Sequence, residues 1–276
     1  MKIVNRQPAE TADASSNRGS AWSELWHLTL YAAGLVVFVF FAVGWAVDLI
    51  VPSISAEREA ALFSKWNPVR KTTPEAEARL RPAREILDRL IQDPAVPKLP
   101  YRLSLINSPT PNAFAFPGGT IGLTSGLLDT LESKAALTFV LGHELGHFHQ
   151  RDHLRGFGRA VGGGIAFTIL FGGEMGNRQF ANTFTHILGR SYSRDQEEGA
   201  DRFGLGLAFR TYGETEGCDQ LFRVLQESDE TPEWAYMLST HPAPKDRIEQ
   251  LGKEAERLKR QFEGQPVKFR KYGNEP

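Results

Sequence analysis

A continuous apolar run near the start of the chain differs from every later segment. Residues 28–47 read LTLYAAGLVVFVFFAVGWAV and carry no charged side chain before Asp48. About 20 residues at a rise of 1.5 Å each span the ~30 Å hydrocarbon core of a bilayer. A cleavable signal peptide has a shorter apolar region that lies closer to the chain start. The run therefore predicts a transmembrane anchor at residues 28–50, preceded by a loose polar tail at 1–27.

Apolar positions after this anchor recur at helical spacing. Residues 56–66 and 74–93 both have helical patterns, and in the second the apolar side chains form one stripe, as in an amphipathic helix. The proline-rich stretch QDPAVPKLP at 92–100 then ends the helical pattern. Residues 51–99 are therefore predicted to form juxtamembrane helices.

The period of the pattern changes beyond this connector. Residues 101–106 alternate like a half-buried strand, and 112–116 are a second extended segment. A turn at 117–119 leads into a third strand at 120–124. Four helical patterns follow, at 133–152, 182–205, 215–227 and 244–262. The fold class predicted is α+β: a mostly helical domain at 100–262 with a small β-sheet, followed by a loose tail at 263–276.

A second apolar stretch interrupts the helical part of this domain. Residues 161–171 are rich in glycine and apolar side chains. About a dozen residues are too few to cross a bilayer. We expect this stretch to be a core helix or to lie on the membrane surface.

Composition excludes several classes of protein. The 276 residues are 41% hydrophobic and 24% charged, with a net charge of -1, so no charge excess points to nucleic acid as a partner. The single cysteine, Cys218, excludes an intrachain disulfide and a cysteine-based zinc cluster. The oligomeric state stays open.

The sequence HELGH at 143–147 carries the strongest chemical signal. On a helix, residues four apart project about 40° from each other, so His143 and His147 can share one metal ion. Glu144 can then reach a water on that metal and act as the general base of peptide hydrolysis. The motif predicts one Zn²⁺ per chain.

A catalytic zinc needs a third protein ligand and an open position. The segment SRDQEEGAD at 193–201 is the candidate source. Glu197 and Asp201 are four apart, so Glu197 can bind the metal while Asp201 accepts the N–H of a ligand histidine. Asp195 and Glu198 compete for the ligand role on other helix faces.

Two further histidines, His149 and His153, are also four apart. They point away from the face shared by His143 and His147. We interpret them as solvated residues at the end of the helix, where histidine suits the helix dipole.

Three separated motifs together resemble a known family. HELGH, then SRDQEEGAD, then STHP at 239–242 followed by Arg247, is similar to the pattern of membrane-associated zinc metalloproteases. This family includes the CAAX prenyl endopeptidase, HtpX, the mitochondrial inner-membrane Oma protease and bacterial periplasmic relatives. PNAFAFPGG at 111–119 also resembles the family's stretch before the metal helix. The resemblance runs from about residue 101 to 248.

The resemblance implies roles for individual residues within a zincin-like peptidase fold. It favours Glu197 as the third zinc ligand, with Asp201 supporting a ligand histidine. His241 would donate a hydrogen bond to the developing oxyanion or be a fourth ligand in a closed state; the alternative is a histidine in a structural turn. The chain departs from the family at Glu198 and Gly199, where an aromatic residue and a glutamate are usual.

Residues 112–115 suggest where a substrate binds. Asn112, Ala113, Phe114 and Ala115 lie on an extended segment, and an exposed strand edge near the zinc can pair with a substrate backbone. The alternative is a core strand that buries its phenylalanines. Both descriptions can hold, because the edge and the side-chain faces of a strand differ.

The sequence therefore predicts a zinc metalloendopeptidase that hydrolyses protein or peptide substrates. By resemblance, single-anchored members act outside the cytoplasm on misfolded or membrane-associated proteins, which predicts a periplasmic domain held at a bacterial inner membrane. One alternative is a chaperone-like binding module with a structural zinc, for which Glu144 would be unnecessary. The other is a CAAX-type processing protease, which one membrane helix argues against.

Overall fold

A computed structural model describes residues 21–66, 73–131, 133–171, 192–227, 241 and 247–263. The chain divides into two units, residues 1–43 and 44–276, which are described separately. Helix α1 spans Ala21–Ile50, and most of it lies in the first unit.

Helix α1 confirms the predicted apolar helix. Within the described part of the chain it is the one helix long and apolar enough to cross a membrane. Its large apolar side chains are exposed, Phe38 and Phe40 by more than 65% each, as suits a helix surrounded by lipid. The helix begins seven residues inside the segment predicted as a tail; residues 1–20 lie outside the described residues.

Two helices connect α1 to the sheet. After a short 3-10 turn at Val51–Ser53, helix α2 covers Ala56–Leu62 and helix α3 covers Pro74–Leu90. The hydroxyls of Ser55 and Thr73 accept backbone N–H groups of the first turns and so begin the two helices. The buried stripe of α3 consists of Leu80, Ala83, Ile86, Leu87 and Leu90.

The predicted three-stranded sheet is confirmed. Strands β1 (Arg102–Ile106), β2 (Ala113–Phe116) and β3 (Thr120–Thr124) are ordered β1-β3-β2. Strand β3 pairs in parallel with β1 and antiparallel with β2, so among the described residues β2 is an edge strand. The turn between β2 and β3 uses Gly118 and Gly119 at φ angles of 80° and 85°, a region that favours glycine.

Six helices follow the sheet in the described part of the chain. They are α4 (Ser125–Thr130), α5 (Lys134–Gln150), α6 (Asp152–Phe171), α7 (Arg194–Tyr212), α8 (Gln220–Glu227) and α9 (Arg247–Phe262). The last three overlap the helical patterns predicted from the sequence. Residues 182–191 and 244–246 of those predictions lie outside the described residues.

The helical conformation is interrupted between α5 and α6, where the sequence predicted an uninterrupted helix to residue 152. Arg151 adopts a left-handed conformation with φ 61°, and α6 starts at the next residue. For a residue with a side chain this conformation costs about 1–2 kcal/mol, so tertiary contacts must hold it. In α6, Ile165, Phe167 and Ile169 are exposed, and the alternative of a buried core helix for residues 161–171 is therefore wrong. Membrane contact stays a prediction.

Small residues let α5 and α7 approach closely. A Cβ on Gly142 would lie 2.9 Å from the Cα of Gly204, and one on Gly146 would lie 2.7 Å from the Cα of Ala200. Both distances are shorter than side chains tolerate, so the two backbones are in direct contact. This contact brings the HELGH motif of α5 against the SRDQEEGAD segment of α7.

Candidate metal centre

Helix α5 is buried around nearly its whole circumference, and this explains how it holds polar groups in the interior. It packs against α3, α6, α7 and β2. His143, Glu144 and His147 are exposed by 6%, 1% and 0% respectively. Polar side chains buried to this extent need partners, and those partners define the site.

Four side chains bring one donor atom each into a common cluster. His143, His147, Glu197 and His241 place these atoms within 4.8 Å of one another. The Nε2 atoms of His143 and His147 are 3.2 Å apart, and Nδ1 of His241 lies 3.4 Å from Nε2 of His143. An oxygen of Glu197 lies 3.0 Å from His241 Nδ1, and its carboxylate is 3.7 and 3.6 Å from the other two histidines.

These separations match the size of a tetrahedral zinc site. Zinc binds nitrogen and oxygen ligands at about 2.0–2.1 Å, which puts neighbouring ligand atoms of a tetrahedron about 3.3 Å apart. The five separations given above, 3.0–3.7 Å, bracket that value, and all four donor atoms lie within 4.8 Å of one another. The residues therefore fit a single ion of this class, with three imidazole nitrogens and one carboxylate as donors.

Carboxylates hold the far side of both α5 histidines. Nδ1 of His143 is 2.9 Å from Asp201, and Nδ1 of His147 is 3.1 Å from Asp152. Each Nδ1–H donates to its carboxylate, so Nε2 keeps its lone pair directed into the cluster. The sequence singled out Asp201 for this contact but missed Asp152.

The contact of Asp152 with His147 was not predicted because the helix is interrupted at Arg151. On a continuous helix a residue five positions after His147 would point about 140° away from it. The left-handed residue turns the chain back, so Asp152 reaches the imidazole. Gln196 of α7 donates a 2.6 Å hydrogen bond to the same carboxylate, and the ring of Tyr192 stacks on His147 at 3.9 Å.

Arg247, the first residue of α9, was noted only as part of the family pattern, yet it contacts two carboxylates of the site. Its guanidinium donates to both oxygens of Asp201, at 2.8 and 2.7 Å, and lies 2.9 Å from Glu197. The side chain is 3% exposed. It therefore balances the charge of two buried carboxylates that would otherwise repel each other.

Electrostatics favour the charged forms of the carboxylates. Burial acts to raise the pKa of Glu197, but the charges and hydrogen bonds of the surrounding histidines outweigh it and hold that pKa well below its usual value. Burial likewise acts to raise the pKa of Asp201, and His143 and Arg247 lower it. Burial lowers the pKa of His143, whereas for His147 the Asp152 and Glu197 carboxylates outweigh burial and, without a metal ion in the cluster, raise the pKa to about 10. A metal ion bound at Nε2 would take the place of the second proton of His147.

Glu144 faces a pocket beside the donor cluster. Its Oε2 atom is buried, and among the described residues it has no hydrogen-bond partner. Asn112, Ala113 and His241 line the same pocket. The remaining apolar wall is formed by Leu127, Phe139, Val140, Leu221 and Phe222. A buried carboxylate oxygen without a partner is costly, so a water or substrate molecule at this place would stabilise it.

The structure brings only part of the predicted substrate strand to the pocket. Asn112 and Ala113 line it, whereas Phe114 and Ala115 do not. The Asn112 side chain accepts the N–H of Ala113, and its backbone N–H donates to Thr124 of β3. These bonds fix the start of β2 beside Glu144.

The rival ligands and the extra histidines are also placed. Asp195 is exposed, and neither it nor Glu198 belongs to the donor cluster, which contains Glu197 instead. His149 is exposed, as predicted. The prediction of a solvated His153 is wrong: it is 2% exposed, because the break at Arg151 directs it into the interior.

Comparison with known proteins agrees with this arrangement. Residues 77–255 match the model of a protein family described as Peptidase family M48. The chain belongs to peptidase family M48. The matched range runs from α3 to α9 and includes every residue of the donor cluster.

The M48 chain is also similar to individual proteins. It is 24% identical over 283 residues to the mitochondrial metalloendopeptidase OMA1 of Danio rerio, covering 84% of this chain and 55% of that protein. It is 27% identical to OMA1 of Homo sapiens, over 64% of this chain and 37% of the relative. Against the beta-barrel assembly-enhancing protease of Escherichia coli the identity is also 27%, over 62% and 38%. The chain thus spans roughly a third to a half of these relatives' length.

Proposed function

We propose that this protein is a zinc-dependent metalloendopeptidase with His143, His147 and Glu197 as zinc ligands. The observation that carries the proposal is a cluster of four donor atoms, of a size that suits zinc, beside the buried Oε2 of Glu144, which has no hydrogen-bond partner among the described residues. A structural zinc site has no use for this extra carboxylate. The chaperone-like alternative with a structural zinc is therefore less well supported.

The proposed chemistry divides between the ion and the chain. Zinc, when bound, supplies a Lewis acid that polarises the peptide carbonyl and acidifies a water molecule. Glu144 accepts the proton of that water as it attacks the carbonyl and then delivers it to the departing amine. Asp201 and Asp152 keep the ligand histidines in the tautomer that directs Nε2 inward.

His241 has two proposed roles that belong to different states. In this structure its Nδ1 atom is the fourth member of the donor cluster, which corresponds to the closed arrangement. A peptidase needs that position for water or substrate. We propose that His241 leaves the cluster when substrate enters and then donates a hydrogen bond to the developing oxyanion.

The edge strand β2 is the proposed substrate-binding strand. Backbone bonding in an antiparallel pair alternates, and the contact of Asn112 with Thr124 indicates that Ala113 and Ala115 direct their backbone groups away from β3. The N–H of Ala113 already donates to the Asn112 side chain, so a substrate would pair with the Ala113 carbonyl and with the backbone of Ala115. A substrate added along this edge would pass the pocket at Ala113. An Ala113→Pro variant should lose cleavage but stay folded; retained cleavage would count against this binding mode.

We further propose that the enzyme acts in membrane or envelope protein quality control, with its peptidase domain in the periplasm. The apolar helix α1 and the names of the mitochondrial and beta-barrel assembly-enhancing relatives support this proposal. The CAAX-type alternative is less well supported, because α1 is the one candidate membrane span in the described part of the chain.

The first test is casein cleavage by the full-length chain in lipid nanodiscs. Wild type should cleave, and both Glu144→Gln and removal of zinc with a chelator should abolish cleavage. Glu85→Gln, the same exchange at an exposed site of α3, is the matched control and should cleave normally. If wild type binds no zinc while folded, the proposal is wrong.

A further inference from the structure

Helix α2 contains a buried carboxylate for which the proposed chemistry has no use. Glu59 is 2% exposed, although its neighbours Glu57 and Arg58 on the same seven-residue helix are exposed. A charged side chain is rarely buried to this extent unless specific partners hold it. Its partners lie on two different parts of the domain.

The first partner of Glu59 is His153, which contacts the metal-binding helix. Oε1 of Glu59 lies 2.8 Å from Nε2 of His153, and Nδ1 of the same imidazole lies 3.2 Å from the backbone oxygen of His147. Both ring nitrogens face acceptors, so the imidazole lies between Glu59 and the backbone of His147. One side chain thus connects Glu59 to the last turn of the helix that presents the proposed ligand His147.

The second partner of Glu59 is the backbone N–H of Gly118, next to the proposed substrate strand β2. The same Oε1 atom accepts the backbone N–H of Gly118 at 2.9 Å, in the turn that joins β2 to β3. This turn fits closely under α2, since a Cβ on Gly118 would lie 2.6 Å from the Cβ of Phe63. Glu59 therefore also fixes the end of β2 opposite to the pocket.

Aromatic packing reinforces both connections. The ring of Phe63 packs edge-on against Phe157 of α6 at 5.2 Å between centroids. Trp66 contacts Phe157 at 5.7 Å and Phe116 of β2 at 6.2 Å. Residues 56–66, the α2 brace, thus contact the helix that follows the metal-binding helix and the strand that lies beside the pocket.

We propose that Glu59 is a positioning residue, which through His153 and Gly118 holds the metal-binding helix and strand β2 at a fixed separation. The inference rests on the proposed function, because the separation matters only if β2 carries a substrate past the metal. A displacement near 1 Å between a bound substrate and the reacting groups can lower the rate about 10²-fold. The brace follows α1 directly in the chain, so the anchor-proximal segment is part of the active-site scaffold.

Charge supports the geometry. Burial acts to raise the pKa of Glu59, but the hydrogen bond and charge of His153 and the Gly118 N–H outweigh it and lower that pKa below its usual value. The carboxylate is therefore ionised when it makes these contacts. A purely stabilising role would affect the thermal midpoint alone, whereas a positioning role also affects zinc retention and catalysis in protein that is fully folded.

The test compares zinc-loaded full-length variants in nanodiscs well below their melting temperatures. Glu59→Ala removes both connections, and His153→Gln breaks only the one to the metal-binding helix. Glu59→Gln keeps an oxygen that can accept both hydrogen bonds. Glu57→Gln is the matched control on the exposed side of the same helix. The readouts are the rate of zinc release to a chelator and kcat and KM for a peptide substrate.

Glu59→Ala and His153→Gln should each release zinc about tenfold faster, at the lower end of outer-shell effects on metal affinity. Glu59→Ala should also lower kcat/KM about 10- to 100-fold through both kcat and KM. Glu59→Gln should recover most of both losses, and Glu57→Gln should match wild type. Zinc release at the wild-type rate in the folded variants would overturn the inference.

The two proposals fail separately in this experiment. If wild type cleaves no substrate but Glu59→Ala releases zinc faster, the proposed function is wrong and the positioning of the metal-binding helix stands. If Glu59→Ala does not fold, His153→Gln decides, since Glu59 then keeps its contact with Gly118.

Discussion

Replacing Asp201 with asparagine tests the support of the metal centre most directly. Asp201 accepts Nδ1–H of His143 at 2.9 Å and two hydrogen bonds from Arg247. Asparagine keeps the shape but removes the charge and one of the two acceptor oxygens. The guanidinium of Arg247 keeps its contact with Glu197, and it then competes with the proposed zinc ion for that carboxylate.

The structure sets the size of the expected effect. Removing one partner of a buried ion pair typically costs about 3–5 kcal/mol, and we expect the lower end because Arg247 keeps its 2.9 Å contact with Glu197. Loss of an outer-shell carboxylate lowers metal affinity about 10- to 100-fold, or roughly 1.4–2.7 kcal/mol. Domains are stable by about 5–15 kcal/mol, so the variant should fold.

The assay is a competition titration of zinc against a chromophoric chelator, combined with urea unfolding with and without zinc. Asp195→Asn is the matched control, the same exchange on an exposed position of α7. It should change neither zinc affinity nor stability. The reasoning is refuted if folded Asp201→Asn binds zinc within about twofold of wild type, because the carboxylate would then not support the ligand histidine.

Three further predictions follow from the same geometry. His241→Phe should keep zinc bound through the other three ligands and lower turnover about 10²-fold, as loss of an oxyanion donor does; higher turnover would mean that His241 mainly blocks the site. Gly204→Ala places a Cβ 2.7 Å from the backbone N of His143, so calorimetry should show a lower zinc affinity and a lower melting temperature. Gly206→Ala, whose Cβ would meet only the end of the Arg210 side chain, should lower neither. The pKa of Glu59 is lower in the folded than in the unfolded protein, so its contribution to stability is complete above about pH 4.5 and is lost as pH falls through the folded pKa. In urea unfolding, the stability advantage of wild type over Glu59→Gln should therefore shrink on acidification. A difference that stays constant would contradict the lowered pKa.

The sequence predicted the elements of the fold because their patterns are local. The helical stripe of α3, the alternating strands and the glycine turn at 117–119 all depend on neighbours a few residues away. The break at Arg151 has no such signal, since arginine favours helix and no glycine or proline marks the position. The position of Asp152 and the burial of His153 were therefore missed together.

The donor cluster likewise depends partly on local sequence spacing and partly on tertiary contacts. The i, i+4 spacing of His143 and His147 determines that two imidazoles share a helix face, and this follows from helix geometry alone. Spacing favoured Glu197 as the carboxylate that joins them, with Asp195 and Glu198 as competitors, and the family resemblance strengthened that choice. The close contact of α5 and α7 brings Glu197 into the cluster, and this contact depends on two glycines 62 residues apart, Gly142 and Gly204.

The sequence by itself determined the apolar helix, the helical and strand segments, the zinc-type motif and the family resemblance, because each is a pattern of residue types along the chain. Only the tertiary structure decided that Arg247 joins two carboxylates, that His241 occupies the fourth donor position and that Glu59 connects α2 to both sides of the pocket. The physical reason is that a buried charge is stable only with partners of suitable geometry. Those partners come from segments up to about a hundred positions away, where no local pattern records them.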